Sequence, residues 1–211
     1  MTAAAWVSGG RPRASLHDMT SIPAPSVPLS QVGRAAHDIG LAGLLGGNLF
    51  GRLALHPSVT HISDKAERGR VVNAAWRRYG AVNSLSLLAL TTGWLGARLN
   101  EAGPSRLSPA ERRLAAAKDA LVATVAVSAV ATAVEGMKFA RLAPQGAVPL
   151  DDGDHAAPEA AEAQSRAKRR VNVLGLISLA AEIGLAAVNA ALNQQSFRRP
   201  PARRAVPWRR P

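Results

Sequence analysis

Four polar residues interrupt long apolar stretches of this sequence and are its best candidates for chemistry. They are Asn48, Arg52, Glu135 and Glu182. An ionised side chain placed in hydrocarbon is costly, so such residues are retained mainly where they bind an ion, carry a proton or pair with one another. We therefore expect the functional residues inside the apolar segments and not on the polar surface.

The spacing of Asn48 and Glu182 predicts that they meet. Asn48 lies eleven residues after His37. Glu182 lies eleven residues before Asn193. If the two segments run in opposite directions, both side chains lie roughly 16 Å below the same interface at the rise of an α-helix. Three roles are open for Glu182: a structural hydrogen bond between helices, a proton or cation site, and a contact with a partner subunit.

A similar count places Arg52 and Glu135 close to the opposite interface, where an ion pair between them is feasible. Lys138 competes for Glu135, because it follows three residues later on the same helix face. In that alternative, Arg52 extends towards the lipid headgroups and Glu135 is neutralised locally.

Four apolar segments must position these residues. They cover about 35–55, 80–99, 116–138 and 171–192. About 20 helical residues cross a hydrocarbon core of about 30 Å. The run 120–134 has no charged side chain on any face, unlike an amphipathic helix of a soluble protein. We predict an all-α fold, a four-transmembrane-helix bundle, with an Ala-rich soluble bundle as the alternative.

The distribution of basic residues is used to predict how the chain is oriented in the membrane. The chain has a net charge of +12, and four spans would place both termini on one side of the membrane. Basic residues are almost evenly divided between the two sides, and the arginines of the C-terminal tail decide in favour of cytoplasmic termini. The predicted location is therefore the plasma (inner) membrane, as a multipass protein.

Segment one carries Gly43, Gly47 and Gly51 at four-residue spacing, which places them on nearly one helix face. Small residues in this pattern let a second helix approach closely. The partner helix is either another helix of the same bundle or a second copy of the chain in a homodimer.

Other groups with chemical potential are sparse. The absence of cysteine excludes disulfides, thiolate metal sites and cysteine nucleophiles. Segments two to four contain no histidine, which argues against a haem held by two histidines within the bundle. The run 151–155 lacks the spacing and the terminal glutamate of a calcium loop, and we interpret it as a solvated loop. We predict no cofactor, no metal site and no enzymatic activity.

The chain divides into a disordered tail at 1–33, a membrane domain at 34–195 and an Arg/Pro-rich tail at 196–211. The last tail contains three arginine pairs: Arg198, Arg199, Arg203, Arg204, Arg209 and Arg210. Anionic lipid headgroups are its predicted partner, at about 1 kcal/mol per basic residue near the surface. A larger membrane complex is the alternative, and nucleic acid is not predicted, since Trp208 offers only one ring for base stacking.

Several residues between His37 and Gly93 match a known pattern. They are His37, Gly46, Gly47, Phe50, Pro57, Arg70, Arg77, Arg78, Tyr79, Thr92 and Gly93. In these positions the chain resembles small four-helix bacterial membrane proteins of the copper-resistance-D-like type. The resemblance covers about a quarter of the chain and implies the four-helix fold. The tryptophan that usually precedes the glycine pair is replaced by leucine, and copper handling would require more Met or His within the bundle.

Two functions follow as hypotheses. The first is a non-enzymatic membrane component with an accessory or structural role, which packs against itself or a partner. The second is a small proton- or cation-coupled transporter that uses Glu182.

Overall fold

Residues 29–197 are described by the structure, a computed structural model, as four long helices, of which the last two are joined by a connection of 21 residues. The elements are α1 (Leu29–Phe50), a π-helical turn (Gly51–Leu55), α2 (His56–Ser58), α3 (Lys65–Leu99), α4 (Pro109–Ala140) and α5 (Glu162–Phe197). Among these residues no strand is present, and Leu150 and Ala156 form only an isolated bridge. The prediction of an all-α fold is confirmed.

The helices are longer than the predicted spans. α1 begins at Leu29, so residues 29–33 are helical and their assignment to a disordered tail is wrong. α3 begins at Lys65, where the Asp64 side chain accepts a hydrogen bond from Ala66 N at 2.8 Å. Its first turns carry several arginines, which is why the sequence pattern assigns them to a connection. The remaining residues of both predicted tails lie outside the described range, apart from the C-terminal end of α5.

The first helical stretch does not stop near residue 55, where segment one was predicted to end, and it continues past Pro57. The chain continues through the π-helical turn and α2 and reaches extended backbone only at Ile62. Proline is tolerated here because it occupies the first turn of α2, where a missing N–H costs little. The wider π-helical turn often marks functional positions, and it contains Arg52.

Helix α4 begins with a capping box. The Ser108 side chain accepts from Glu111 N, the Glu111 side chain accepts from Ser108 N at 2.8 Å, and Pro109 is the first helical residue. α1 packs mainly on α3, and α4 packs mainly on α5, with further contacts between α1 and α5. The end of the bundle where α1 begins and α5 finishes is called the terminal end below, and the opposite end is called the loop end.

Two of the four long helices, α4 and α5, are long and apolar enough to cross a membrane. Among the described residues, α1 and α3 contain no stretch that is apolar enough over this length. Large apolar side chains are nevertheless exposed on every long helix, including Ile39, Phe50, Leu85, Leu88, Val127, Val130, Leu176 and Ile183. The buried set, in contrast, includes polar and charged residues: His37, Ser86, Lys118, Ser128, Lys168, Ser178 and Glu182.

Candidate functional site

Glu182 is completely enclosed at the centre of the bundle, with 0% of the residue exposed. Asn48 Nδ2 donates to Glu182 Oε1 at 2.8 Å and lies 3.0 Å from Oε2. The Ser178 hydroxyl, one turn earlier on α5, donates to Oε1 at 3.0 Å. The predicted contact between Asn48 and Glu182 is therefore present, while a functional role for it stays a prediction. Ser178 was not predicted, although its position four residues before Glu182 is a usable signal.

Glu182 has no ion-pair partner among residues 29–197; its hydrogen bonds there come from the neutral Asn48 and Ser178 side chains. Towards the terminal end, the next polar residue of α5 on this face is Asn189, and the fully buried Leu185 lies between them. The Leu185 side chain, about one helical turn from Glu182, therefore separates its carboxyl group from the polar residues at that end.

A second polar cluster lies at the terminal end. Lys118 Nζ donates to Asn189 Oδ1 at 2.6 Å and lies 4.2 Å from the centroid of the Trp94 ring. Asn189 Nδ2 donates to Asp38 Oδ1 at 2.9 Å, and His37 Nδ1 lies 2.9 Å from the same oxygen. One continuous chain of polar contacts therefore connects α1, α5 and α4 at this end.

A third cluster lies at the loop end and corrects one prediction. Arg52 does not pair with Glu135: its guanidinium lies 3.4 Å from Asp154 Oδ1 and donates to the Asn172 carbonyl at 3.1 Å. Glu135 pairs with Lys138 at 2.6 Å, the local alternative. The physical reason is that the connection after α4 folds back across the end of the bundle and brings Asp154 to Arg52.

The run 151–155 is docked, so its interpretation as a solvated loop is wrong. Gly153 N donates to the His56 carbonyl at 3.0 Å. A Cβ atom at Gly153 would lie 2.3 Å from His56 Cα, so only glycine permits this approach. The preceding residues Val148 and Leu150 are fully buried in an apolar cluster with Val72 and Phe139. Hydrophobic burial therefore holds the connection in place, and polar contacts orient it.

Asp154 supplies the negative charge that contacts Arg52 and His56 in this cluster. Its carboxylate lies 3.0 Å from His56 Nδ1. Trp76 Nε1 donates to His56 Nε2 at 3.1 Å, so Nε2 acts as an acceptor and the proton of a neutral imidazole lies on Nδ1, facing Asp154. The pKa of Asp154 is lowered most by this close contact with His56, against the opposing effect of burial, and further by the charges of His56 and Arg52.

Because the pKa of Asp154 is lower in the folded state, its carboxylate stabilises the docked connection above the ordinary aspartate pKa of about 4. This stabilisation is lost as the pH falls through the folded-state pKa. We expect Asp154→Asn to remove it at neutral pH and to speed hydrogen exchange of the Leu150 and Gly153 amides about tenfold, since a hydrogen bond to a charged group is lost. Asp151→Asn, at a carboxylate that pairs with Lys65 near the surface, is the matched control. Equal exchange rates in the two variants would contradict the role of Asp154.

The three glycines of segment one all face α3. Gly43 O accepts a hydrogen bond from the Tyr79 hydroxyl at 2.8 Å. A Cβ atom at Gly47 would lie 2.2 Å from Tyr79 Cε1, and one at Gly51 would lie 2.4 Å from Trp76 Cζ2. The predicted close helix approach is therefore present, and packing within the chain accounts for it. A homodimer stays a prediction that does not need these glycines.

The indole N–H groups of the two tryptophans of α3 both donate hydrogen bonds to side chains within the protein. Trp76 bonds His56, and Trp94 Nε1 donates to Asp119 Oδ1 at 2.8 Å. Arg98 also forms a bidentate ion pair with Asp119, and the shorter of its two N–O contacts is 2.8 Å. Within residues 29–197 no group of three or more His, Asp or Glu side chains is placed to hold a metal ion.

The six arginines of the C-terminal tail lie outside the described residues, so their predicted contact with lipid or a partner stays a prediction. Comparisons with protein-family models, curated proteins and solved structures found no match for this chain.

Proposed function

We propose that all four long helices cross the membrane and that the chain is a multipass, non-enzymatic membrane component with an accessory or structural role. One observation carries this proposal: large apolar side chains face outwards on every helix, while Glu182, Lys118 and other polar groups face inwards. In water, leaving a leucine exposed forfeits about 1.5–3 kcal/mol of burial free energy. In a bilayer the same outward-facing side chains are solvated by lipid.

The polar groups of α1 and α3 support four spans over two. Asn48 of α1 and Arg52 of the following π-helical turn contact partners on α5 and the docked connection, and His37 of α1 is 2% exposed. The outward faces of α1 and α3 carry large apolar side chains, such as Ile39 on α1 and Leu85 and Leu88 on α3. Both helices therefore present an apolar surface to their surroundings despite their polar content.

The absence of cysteine allows a direct test of four spans by single-cysteine labelling. We expect Ser63→Cys and Glu159→Cys to react with an impermeant maleimide from one side of the membrane, and Ser105→Cys to react from the other. If only α4 and α5 crossed, Ser63→Cys and Ser105→Cys would react from the same side. Cytoplasmic termini predict that Ser105→Cys is protected in intact spheroplasts. Release of the chain by alkaline carbonate without detergent would overturn membrane insertion altogether.

An accessory role predicts a partner. Purification from native membranes in mild detergent is expected to recover a second protein at fixed stoichiometry. Recovery of this chain alone, at any detergent concentration that preserves its helicity, would count against the accessory role.

A second function, proton or cation transport through Glu182, is favoured by one observation: a fully enclosed carboxyl group held only by neutral donors within the described residues. In proteoliposomes, Glu182→Gln is then expected to abolish proton flux while the protein keeps its fold. Glu162→Gln, on the exposed first turn of the same helix, is the control. Absence of flux in the unmodified protein would exclude transport.

A further inference from the structure

A cavity of about 300 Å³ opens at the terminal end of the bundle, among α1, α3, α4 and α5. This volume lies at the lower end of the range for small-molecule pockets. Lys118, His37 and Asn189 line it, together with the carboxylates of Asp38, Glu101 and Glu111. Two features of these side chains indicate which ligand the cavity suits.

The first feature is Lys118, of which only 4% is exposed. In the described part of the chain its hydrogen-bond acceptor is the neutral Asn189 Oδ1, and its other close contact is the face of Trp94 at 4.2 Å. An ammonium group has three N–H donors, and neither contact carries a full negative charge. A buried ammonium without a carboxylate in ion-pair contact is stabilised when an anion enters beside it.

The second feature is the imidazole of His37. Its Nδ1 is directed to Asp38 at 2.9 Å, whereas its buried Nε2 has no hydrogen-bond partner among residues 29–197. The carboxylate fixes the proton of a neutral imidazole on Nδ1, which leaves a lone pair on Nε2. The ligand must therefore present an O–H or N–H donor close to its anionic oxygen.

The carboxylates of the cavity make other contacts, and among the described residues none of them forms a direct ion pair with Lys118. Glu101 pairs with Arg34 at 3.0 Å. Asp38 accepts from Asn189 and contacts His37. Glu111 accepts from the backbone of Ser108 in the capping box. Asp38 reaches Lys118 only through the Asn189 amide, so a direct anionic partner for the ammonium group can still enter from the cavity.

From these contacts we infer that the cavity binds a phosphate monoester. A monoester with one protonated oxygen offers both required groups: anionic oxygens for Lys118 and a P–O–H donor for His37 Nε2. Its second ionisation has a pKa of about 6, so this form is present near neutral pH. A carboxylate offers only acceptors at that pH, and a phosphodiester has no P–O–H group.

The phosphate monoester has two sources, the headgroup of a lysophosphatidic or phosphatidic acid type of lipid and a soluble sugar- or glycerol-phosphate. The site does not involve Glu182 and does not depend on transport or on an accessory role. If all four helices span the membrane, the cavity lies at an interface and both sources reach it.

The full-length chain in detergent tests this site by isothermal titration calorimetry with three probes: glycerol 3-phosphate, dihexanoyl phosphatidic acid and the diester dihexanoyl phosphatidylglycerol. We expect saturable binding of a monoester and weaker binding of the diester. Binding of glycerol 3-phosphate identifies a soluble ligand, and binding of phosphatidic acid alone identifies a lipid headgroup. Absence of saturable monoester binding at millimolar concentrations, or equal affinity for the diester, would overturn the inference.

Substitutions test whether Lys118 and His37 determine the affinity for the phosphate monoester. Lys118→Gln is expected to weaken monoester binding about tenfold or more, since a charge-assisted hydrogen bond is lost. The control is Arg113→Gln, at an exposed cation on the same helix, which is expected to change the affinity less than about twofold. An equal loss in the two variants would show diffuse charge attraction and overturn the site. If Lys118→Gln does not fold, His37→Asn keeps the Asp38 contact, removes Nε2 and must weaken monoester binding.

Discussion

Glu182→Ala is expected to lower the free energy of unfolding by about 2–5 kcal/mol, because it leaves buried partners unpaired and creates a cavity. The Asn48 amide and the Ser178 hydroxyl would lose the carboxyl group that satisfies them in a fully enclosed position. Glu182→Gln keeps the shape and an acceptor oxygen and is expected to cost about 1 kcal/mol. Thermal unfolding in detergent, followed by circular dichroism, measures both differences.

Two controls distinguish the loss of the Glu182 hydrogen bonds from a general sensitivity of α5 to substitution. Glu162→Ala, near the exposed start of the helix, is expected to change the stability by less than about 0.5 kcal/mol. In a double-mutant cycle with Asn48→Ala, a coupling of about 0.5–2 kcal/mol is expected for the buried contact. Additive effects in the cycle, or a loss at Glu162 as large as at Glu182, would contradict a stabilising hydrogen bond between α1 and α5.

The contact between Asn48 and Glu182 could be predicted because the rise of a helix is fixed and the two helices run in opposite directions. The depth of a residue below one interface can therefore be counted along each helix, and the two depths can be compared directly. The same reasoning failed for Arg52, since its partner comes from the connection that contains Asp154. That connection has no periodic pattern, and its position depends on buried Val148 and Leu150, which the sequence offers no simple way to place.

The polar cluster at the terminal end was missed although a signal was present. Lys168, Gly175, Glu182 and Asn189 follow one another at seven-residue intervals, which keeps them close to one face of α5. Considering only the charged residue of segment four, Glu182, hid this stripe. Lys118 lies only two residues after the predicted start of segment three at 116, whereas α4 begins at Pro109 and carries Lys118 into the bundle.

The glycine pattern was recognised only in part. Gly43, Gly47 and Gly51 contact side chains of α3, and side chains can change rotamer to relieve a clash. Gly40 was not singled out, because it breaks the four-residue spacing. It lies at a close backbone approach of α1 to α3: a Cβ atom there would be 2.4 Å from Ser86 O and 2.7 Å from Leu90 N. Both neighbours are backbone atoms and cannot rotate away.

Gly40→Ala is therefore expected to destabilise the protein by about 1–3 kcal/mol or more, since α1 and α3 must separate to admit the methyl group. Gly46→Ala is the matched control on the same helix, because no atom lies within 4 Å of its Cβ position. There the higher helix propensity of alanine is expected to leave stability unchanged or to raise it by up to about 1 kcal/mol. The two variants add the same atoms to the same helix, so the difference between their melting temperatures isolates the close approach. Equal melting temperatures would mean that α1 and α3 do not meet at Gly40.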